Sequence, residues 1–251
     1  PRSAIRRLRK EGELIATIDD PSDRRLDADM AFYPPIPQLR TMDWAGFTGK
    51  LFVGWEWVLL RKQFSSITPT PRHSHTPTLL VTMGGSDPAG LTLKAVRALR
   101  SVSEPFKAVV LLGPGFLHES ELKKELAVAG SRFVVMRNVS NVARLMRRSD
   151  VAVGSFGVTA YELAACGVPA VHLCLTPDHA MSASMFVRER MALSLGIHGH
   201  VSAARLASAV DRLLRDARRR QKMLANCRRR VDGRGAGRIA SAIIDVLGHT
   251  K

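Results

Sequence analysis

Residues 78–88 read TLLVTMGGSDP. The apolar run up to Met83, rich in β-branched side chains, is the pattern of a buried strand. Gly84 and Gly85 then permit a tight turn and let a ligand approach the backbone closely. Asp87 suits a helix N-cap and Pro88 the first helical position, which predicts a helix over 88–100. A helix that starts at the carboxyl end of a parallel strand presents unsatisfied N–H groups to an anion. The same residues also describe an ordinary βα turn with a conventional cap. They form neither a Walker A loop nor a GxGxxG, so the spacing leaves both readings open.

Working outward, the same alternation continues downstream. Apolar strands are predicted at 106–112, 132–136, 150–153 and 169–173. Helical patterns are predicted at 119–129, 141–148, 158–166, 179–190, 202–215 and 234–247. Strands this apolar, alternating with helices, imply a parallel sheet covered on both faces. Upstream, residues 65–77 (SSITPTPRHSHTP) read as a linker. His73 and His75 carry no specific role there. Before it lie a basic helix over 3–10, a short strand at 14–18 closed by Asp19 and Asp20, and a second strand at 51–54. The intervening residues 21–50 show no clear periodicity. Trp55 and Trp57 read as packing against the linker. The predicted organisation is thus a partial N-terminal α/β domain (1–64), a linker (65–77) and a doubly wound parallel-sheet domain (78–251).

The chain has 251 residues, 45% of them hydrophobic and 24% charged. These are globular proportions, which argue against a disordered chain, a collagen and a simple coiled coil. Its apolar runs are far shorter than a bilayer span. No secretory pattern opens it, and its first residue is Pro1 rather than Met, which suggests a fragment or processed product. Cys166, Cys174 and Cys227 are odd in number and form no CxxC pair, which speaks against a disulfide framework and a zinc site. A reducing cytoplasm is the expected compartment. The net charge is +16, and about half of the excess follows residue 210. The tail 211–251 has no aromatic residue between its cations, so specific nucleic-acid binding is not expected. Contact with an anionic membrane surface suits this charge better, beside the plainer reading of Arg-rich solvated helices.

Two further motifs follow predicted strands. Residues 154–162 read GSFGVTAYE, in which Ser155, Gly157 and Thr159 present backbone and hydroxyl donors suited to a diphosphate. Glu162, one turn into the helix, suits the paired hydroxyls of a ribose, although a carboxylate there also stabilises the helix dipole. Residues 176–179 read TPDH. Asp178 reads as an N-cap, and His179 as a donor to sugar or phosphate or as an acid or base. Asp178 and His179 are therefore the catalytic candidates, and no metal or cofactor is implied.

Residues 78–88, 138–162 and 167–170 (GVPA) together resemble the UDP-sugar hydrolases of pseudaminic acid biosynthesis and their spore-coat-polysaccharide relatives. They are more distantly similar to the glycosyltransferase family 28 C-terminal domain. Ile18–Asp20, Gly54, Leu59–Arg61, Phe64 and Asp232–Ala236 agree with the hydrolase pattern. The resemblance implies a GT-B-like fold and a UDP-sugar as partner. It implies the Val139 backbone at uracil, Glu162 at ribose, Ser155 through Thr159 at diphosphate, and Gly84, Gly85 and Ser86 near the phosphates and sugar. Hydrolysis of a UDP-linked amino or deoxy sugar for surface-polysaccharide synthesis is the expected activity. A GT-B glycosyltransferase and a non-catalytic nucleotide-binding remnant are the alternatives. The family's N-terminal glycine loop, with its catalytic His, has no counterpart before Leu14, and Asp178-His179 stands where the family often has Asn-Gln.

Overall fold

The computed structural model describes residues 2–65 and 76–248, so most of the expected linker lies outside the described residues. The chain divides into two compact units, residues 1–65 with 232–251, and residues 66–231. In chain order, the first unit opens with α1 (Arg2–Lys10), β1 (Ala16–Ile18), β2 (Met30–Tyr33) and β3 (Lys50–Val53). The second contributes β4 (Thr78–Thr82), α2 (Leu91–Leu99), β5 (Lys107–Leu111), α3 (Glu119–Ala129), β6 (Phe133–Met136) and α4 (Val142–Arg147). It continues with β7 (Val151–Ser155), α5 (Val158–Ala165), β8 (Ala170–Cys174), α6 (Pro177–Arg188) and β9 (Ala192–Ile197). Helices α7 (Ala203–Arg215) and α8 (Ala217–Arg230) end it, and α9 (Gly235–Gly248) returns to the first unit.

The first unit holds a parallel sheet in the order β1-β2-β3. Its central strand β2 is buried along its whole length, yet it fell in the stretch 21–50 where no strand was expected. Four apolar residues between an aspartate and a Pro-Pro pair are too few to show a period. Phe32 stacks on Phe52 at 4.6 Å, and Trp57 packs against both rings at 5.3 and 4.9 Å. Trp57 is therefore packed against the apolar cluster of this sheet, while the linker it was expected to cover lies mostly outside the described residues. Ile239, with Ala242, Ile243 and Val246 beside it, completes the same apolar cluster from α9.

The second unit accordingly ends at Val231, and not at 251 as the sequence suggested. Two glycines let the chain make this return. A Cβ on Gly235 would lie 2.1 Å from the Val58 carbonyl oxygen, and Gly233 adopts φ +73° with Phe64 as close a neighbour. Gly235→Ala is expected to lift α9 from its seat and to cost about 1–3 kcal/mol, as overpacking commonly does. Urea unfolding of the full chain measures this, and an unchanged midpoint would show that the contact relaxes freely.

The second unit carries six parallel strands in the order β6-β5-β4-β7-β8-β9. Leu79, Val81, Val151, Val153, Val171 and Leu173 point to one face and share a core with apolar residues of α2 and α7. Alternation turns Thr82, Gly154 and His172, which sit side by side in register, to the other face. There Leu163 of α5 comes within 3.9 Å of the Cβ position of Gly154, and the rings of His172 and Phe186 meet at 5.9 Å. The sheet is the doubly wound parallel domain expected from the sequence, with two elements that were not anticipated. The edge strand β9 (ALSLGI) is short and broken by Gly196, and α8 (ARRRQKMLANCRRR) is too cationic to show an apolar stripe. Its inward face is nevertheless regular, with Met223 and Cys227 four residues apart and both buried.

Candidate functional site

The strand order reverses between β4 and β7. In an open parallel sheet the chains leaving two such strands turn to opposite faces and leave a crevice at the carboxyl ends. The loops after β4 and β7 carry the first two sequence motifs, and they meet there. The Cβ position of Gly84 lies 4.0 Å from Ser155 Oγ.

The β4 loop differs from its sequence reading in one respect that changes its chemistry. The helix begins at Leu91 rather than Pro88, with Gly90 at its N-cap in the left-handed region at φ +61°. Asp87 is 4% exposed, has φ +46°, and accepts hydrogen bonds from the Leu91 and Thr92 N–H groups at 2.7 and 2.8 Å. The N-terminus of α2 is thus occupied by the chain's own carboxylate, and it offers these N–H groups to no anion. What remains open is the glycine turn itself. Gly84 takes φ +81°, while Gly85 and Ser86 are exposed.

A third loop supports this turn from behind. Gly115 N–H donates to the Gly85 carbonyl at 2.9 Å, and a Cβ on Gly113 would fall 2.2 Å from that same oxygen. Gly113 and Gly115 were missed by sequence reasoning. The segment GPG after β5 was the available signal, since glycine flanking a proline at a strand end marks a close backbone approach.

The N-terminus of α5 is chemically the opposite of that of α2. Its N-cap is Gly157, in extended backbone (φ 161°, ψ −157°), and no side chain caps it. By contrast α4, α6, α7 and α8 are capped by Asn141, Thr176, Ser202 and Asp216. A Cβ on Gly157 would meet nothing within 4 Å. Ser155 is buried just before this turn, Thr159 is half-buried inside it, and Glu162 is buried one turn further on. An uncapped helix start of this kind attracts anions, because its first N–H groups and the positive end of the helix dipole point outward.

Phe156 anchors the turn. Its ring meets those of His172 at 5.6 Å, Phe186 at 5.4 Å and His179 at 6.1 Å. His172 is fully buried, and burial pushes its imidazole down to about 4. Its Nδ1 has no hydrogen-bond partner. Neither Phe156 nor His172 was singled out from the sequence, because a histidine inside an apolar strand reads as part of the core. His179 lies at the start of α6 with its ring Nδ1 shielded from solvent and without a partner. Asp178 is not the N-cap the sequence suggested. Thr176 holds that place, its Oγ1 accepting from His179 N at 3.1 Å, and Pro177 opens the helix. Asp178 is exposed in the first turn.

Val139 lies further away in the sheet. It follows Asn138 (φ +50°) after the edge strand β6, with β5 between β6 and β4. The three cysteines are buried and free, and burial pushes the Cys166 and Cys227 thiols up to about 12. No helix among the described residues is long and apolar enough to cross a membrane.

No family model matches the sequence. The uncharacterized protein MJ1062 of Methanocaldococcus jannaschii is 32% identical over 128 residues, which is 49% of this chain and 26% of that protein. The spore coat polysaccharide biosynthesis protein SpsG of Bacillus subtilis is 25% identical over 170 residues, 67% of this chain and 50% of that protein. The chain therefore spans between a quarter and half of the length of these curated relatives. Among solved structures, Acinetobacter baumannii MurG superposes with a TM-score of 0.69 at 14% identity, over 97% of this chain and 78% of that one. A putative UDP-N-acetylglucosamine 2-epimerase from Listeria monocytogenes gives 0.68 at 16% identity, over 100% of this chain and 72% of that one. The spinosyn rhamnosyltransferase SpnG, solved with thymidine diphosphate, gives 0.56 at 14% identity, over 85% of this chain and 57% of that one. With its parallel sheets and these neighbours, the chain has a GT-B-like fold.

Proposed function

We propose that residues 66–231 bind the nucleoside diphosphate of a nucleotide sugar, with UDP as the nucleotide, and that the chain serves transfer of the sugar to an acceptor. The observation that carries this reading is the uncapped start of α5 at the β4–β7 switch point, beside the open glycine turn 84–86. In this reading the backbone at Gly157 and Thr159, with Ser155, holds the diphosphate. Glu162 accepts hydrogen bonds from the ribose, the Val139 backbone meets the uracil, and Gly84–Ser86 border the phosphates and the sugar. Negative charge grows on the diphosphate as the bond to the anomeric carbon breaks. Fixed N–H dipoles aimed at that charge stabilise the transition state more than the ground state. His179, with an unpartnered ring nitrogen beside Phe156, is the candidate donor at the sugar end, and Asp178 its neighbour there.

Transfer and hydrolysis differ only in whether an acceptor or water attacks that carbon. Hydrolysis, the activity the sequence resemblance suggested, finds no support among the relatives and solved neighbours. A rhamnosyltransferase carrying a nucleoside diphosphate favours transfer. Calorimetric titration with UDP, against ADP as control, tests the binding half of the proposal. Glu162→Ala is expected to weaken UDP by about 1–3 kcal/mol, as loss of hydrogen bonds to a charged group does. An unchanged affinity would remove Glu162 from the ribose site. Release of UDP from UDP-N-acetylglucosamine in water alone would turn the reading back to hydrolysis.

A further inference from the structure

A cavity of about 630 Å³ opens on the other side of the second unit, between the end of α6, the start of β9 and helix α8. Arg190, Arg219 and Lys222 line it above an apolar floor that includes Val187, Leu193 and Met223. Leu193 stands near the amino end of β9, whereas the candidate nucleotide loops follow the carboxyl ends of β4 and β7. On a parallel sheet these are opposite edges, so the cavity is separate from the site described above. Its volume is that of a small-ligand pocket.

The cations of α8 divide into two sets. Arg220 donates to the Leu213 carbonyl at 2.6 Å and also to that of Leu214, and Arg230 pairs with Glu189 at 2.7 Å. Arg228 lies against Gly167. Arg218, Arg219, Lys222 and Arg229 are exposed and make no ion pair among the described residues. Arg218, Lys222 and Arg229 fall on the outward side of the helix, while Arg219, four residues before buried Met223, flanks its inward face. Helix α8 contains no acidic residue that would balance them. The N-terminal helix α1 is different, since its Arg2 and Arg6 pair with Asp27 and its Arg9 with Asp29.

From this geometry we propose that the cavity takes a phosphate carried on an apolar chain, and that its occupant is an anionic phospholipid of a membrane surface. Arg190, Arg219 and Lys222 hold the headgroup phosphate while the lipid's upper chain rests on Leu193, Met223 and Val187. The outward row of α8 faces the neighbouring headgroups. A free phosphate would use the cations but leave the apolar floor wet. A lipid uses both, because burying apolar area and pairing phosphate with guanidinium are satisfied together.

The test is co-sedimentation of the full chain with vesicles of phosphatidylcholine, alone or with about 30% phosphatidylglycerol. Wild type is expected to bind only the anionic vesicles. Each cation near such a surface contributes about fivefold in partitioning, so Arg219→Gln with Lys222→Gln should lower binding about 30-fold. The matched pair Lys123→Gln with Lys124→Gln on α3 removes the same charge elsewhere and should leave binding within about twofold. Ala225→Trp fills the cavity with all cations kept, and it should lower binding about tenfold. All five residues are exposed, and thermal melting of each variant checks that it folds. The proposal is overturned by equal losses in the two Gln pairs, by an Ala225→Trp variant that binds like wild type, or by a wild type indifferent to phosphatidylglycerol. Calorimetry with soluble dihexanoylphosphatidylglycerol and with inorganic phosphate separates the two phosphate sources. Equal affinity for both would overturn the lipid assignment.

Discussion

Gly157→Val is expected to abolish measurable UDP binding, about a 100-fold loss or more, while leaving the stability of the chain within about 0.5 kcal/mol. The two halves of this result have separate causes. The backbone at 157 is extended, so valine fits its conformation, and the added Cβ meets no protein atom within 4 Å. The fold therefore does not require glycine at this position. A branched side chain there would instead stand in front of the first N–H groups of α5, where the proposed diphosphate comes closest. Loss of one or two charge-assisted hydrogen bonds accounts for the magnitude. Gly113→Ala supplies the contrast, because its Cβ would collide with the Gly85 carbonyl. That variant is expected to lower stability by about 1–3 kcal/mol and to disturb UDP binding indirectly. Parallel calorimetry and melting separate them. A Gly157→Val protein that melts early would make this glycine structural, and one that binds UDP normally would move the diphosphate elsewhere.

The second large effect concerns acid stability. His172 is buried against Phe156 and Phe186, and its imidazole titrates near 4 in the folded chain against 6.5 for an unperturbed histidine. Desolvation of the charged form is the main cause, and a hydrogen bond with the Gly154 backbone opposes it. Between pH 6.5 and 4 the unfolded chain therefore holds more protons than the folded one. Folding stability must fall as pH drops through that window, by about 3 kcal/mol in all, and level off below it. Urea unfolding at a series of pH values measures the slope. The His172→Leu variant removes the titrating group and should lose this component, leaving only the carboxylate contribution at lower pH. Identical pH slopes in both proteins would mean that His172 is not held neutral by its surroundings. Because the folded chain keeps this ring neutral down to about pH 4, UDP affinity is expected to hold through the same window and to fall only as pH approaches 4.

The alternation of apolar strands with helices from Thr78 onward is a local pattern of composition. It was sufficient to specify a doubly wound parallel sheet, because every buried parallel strand must be apolar along its length. The glycine turn at 84–85, the second turn at 154–157 and the TPDH segment were also legible, since loop chemistry is written in a few consecutive residues. The short strands β2 and β9 were not legible, because runs this brief carry no period and pairing with neighbours makes them strands. Nor was helix α9's membership of the first unit legible. It depends on Met30, Phe32 and Phe52 presenting a surface about 200 residues away in the chain. Long-range packing leaves no mark in local sequence.

The site shows the same division. Sequence named the glycine turns at 84–85 and 154–157, but strand order alone decided that the loops after β4 and β7 are neighbours. Tertiary structure also decided which helix start is open. Asp87 and Gly157 both precede helices and look equally suited to an anion site in the sequence. Asp87 turns its carboxylate back onto the first N–H groups of α2, while the start of α5 carries no side-chain cap. The choice rests on a positive φ at one aspartate and on the satisfaction of two backbone donors. Both are properties of the folded chain that residue type alone does not specify.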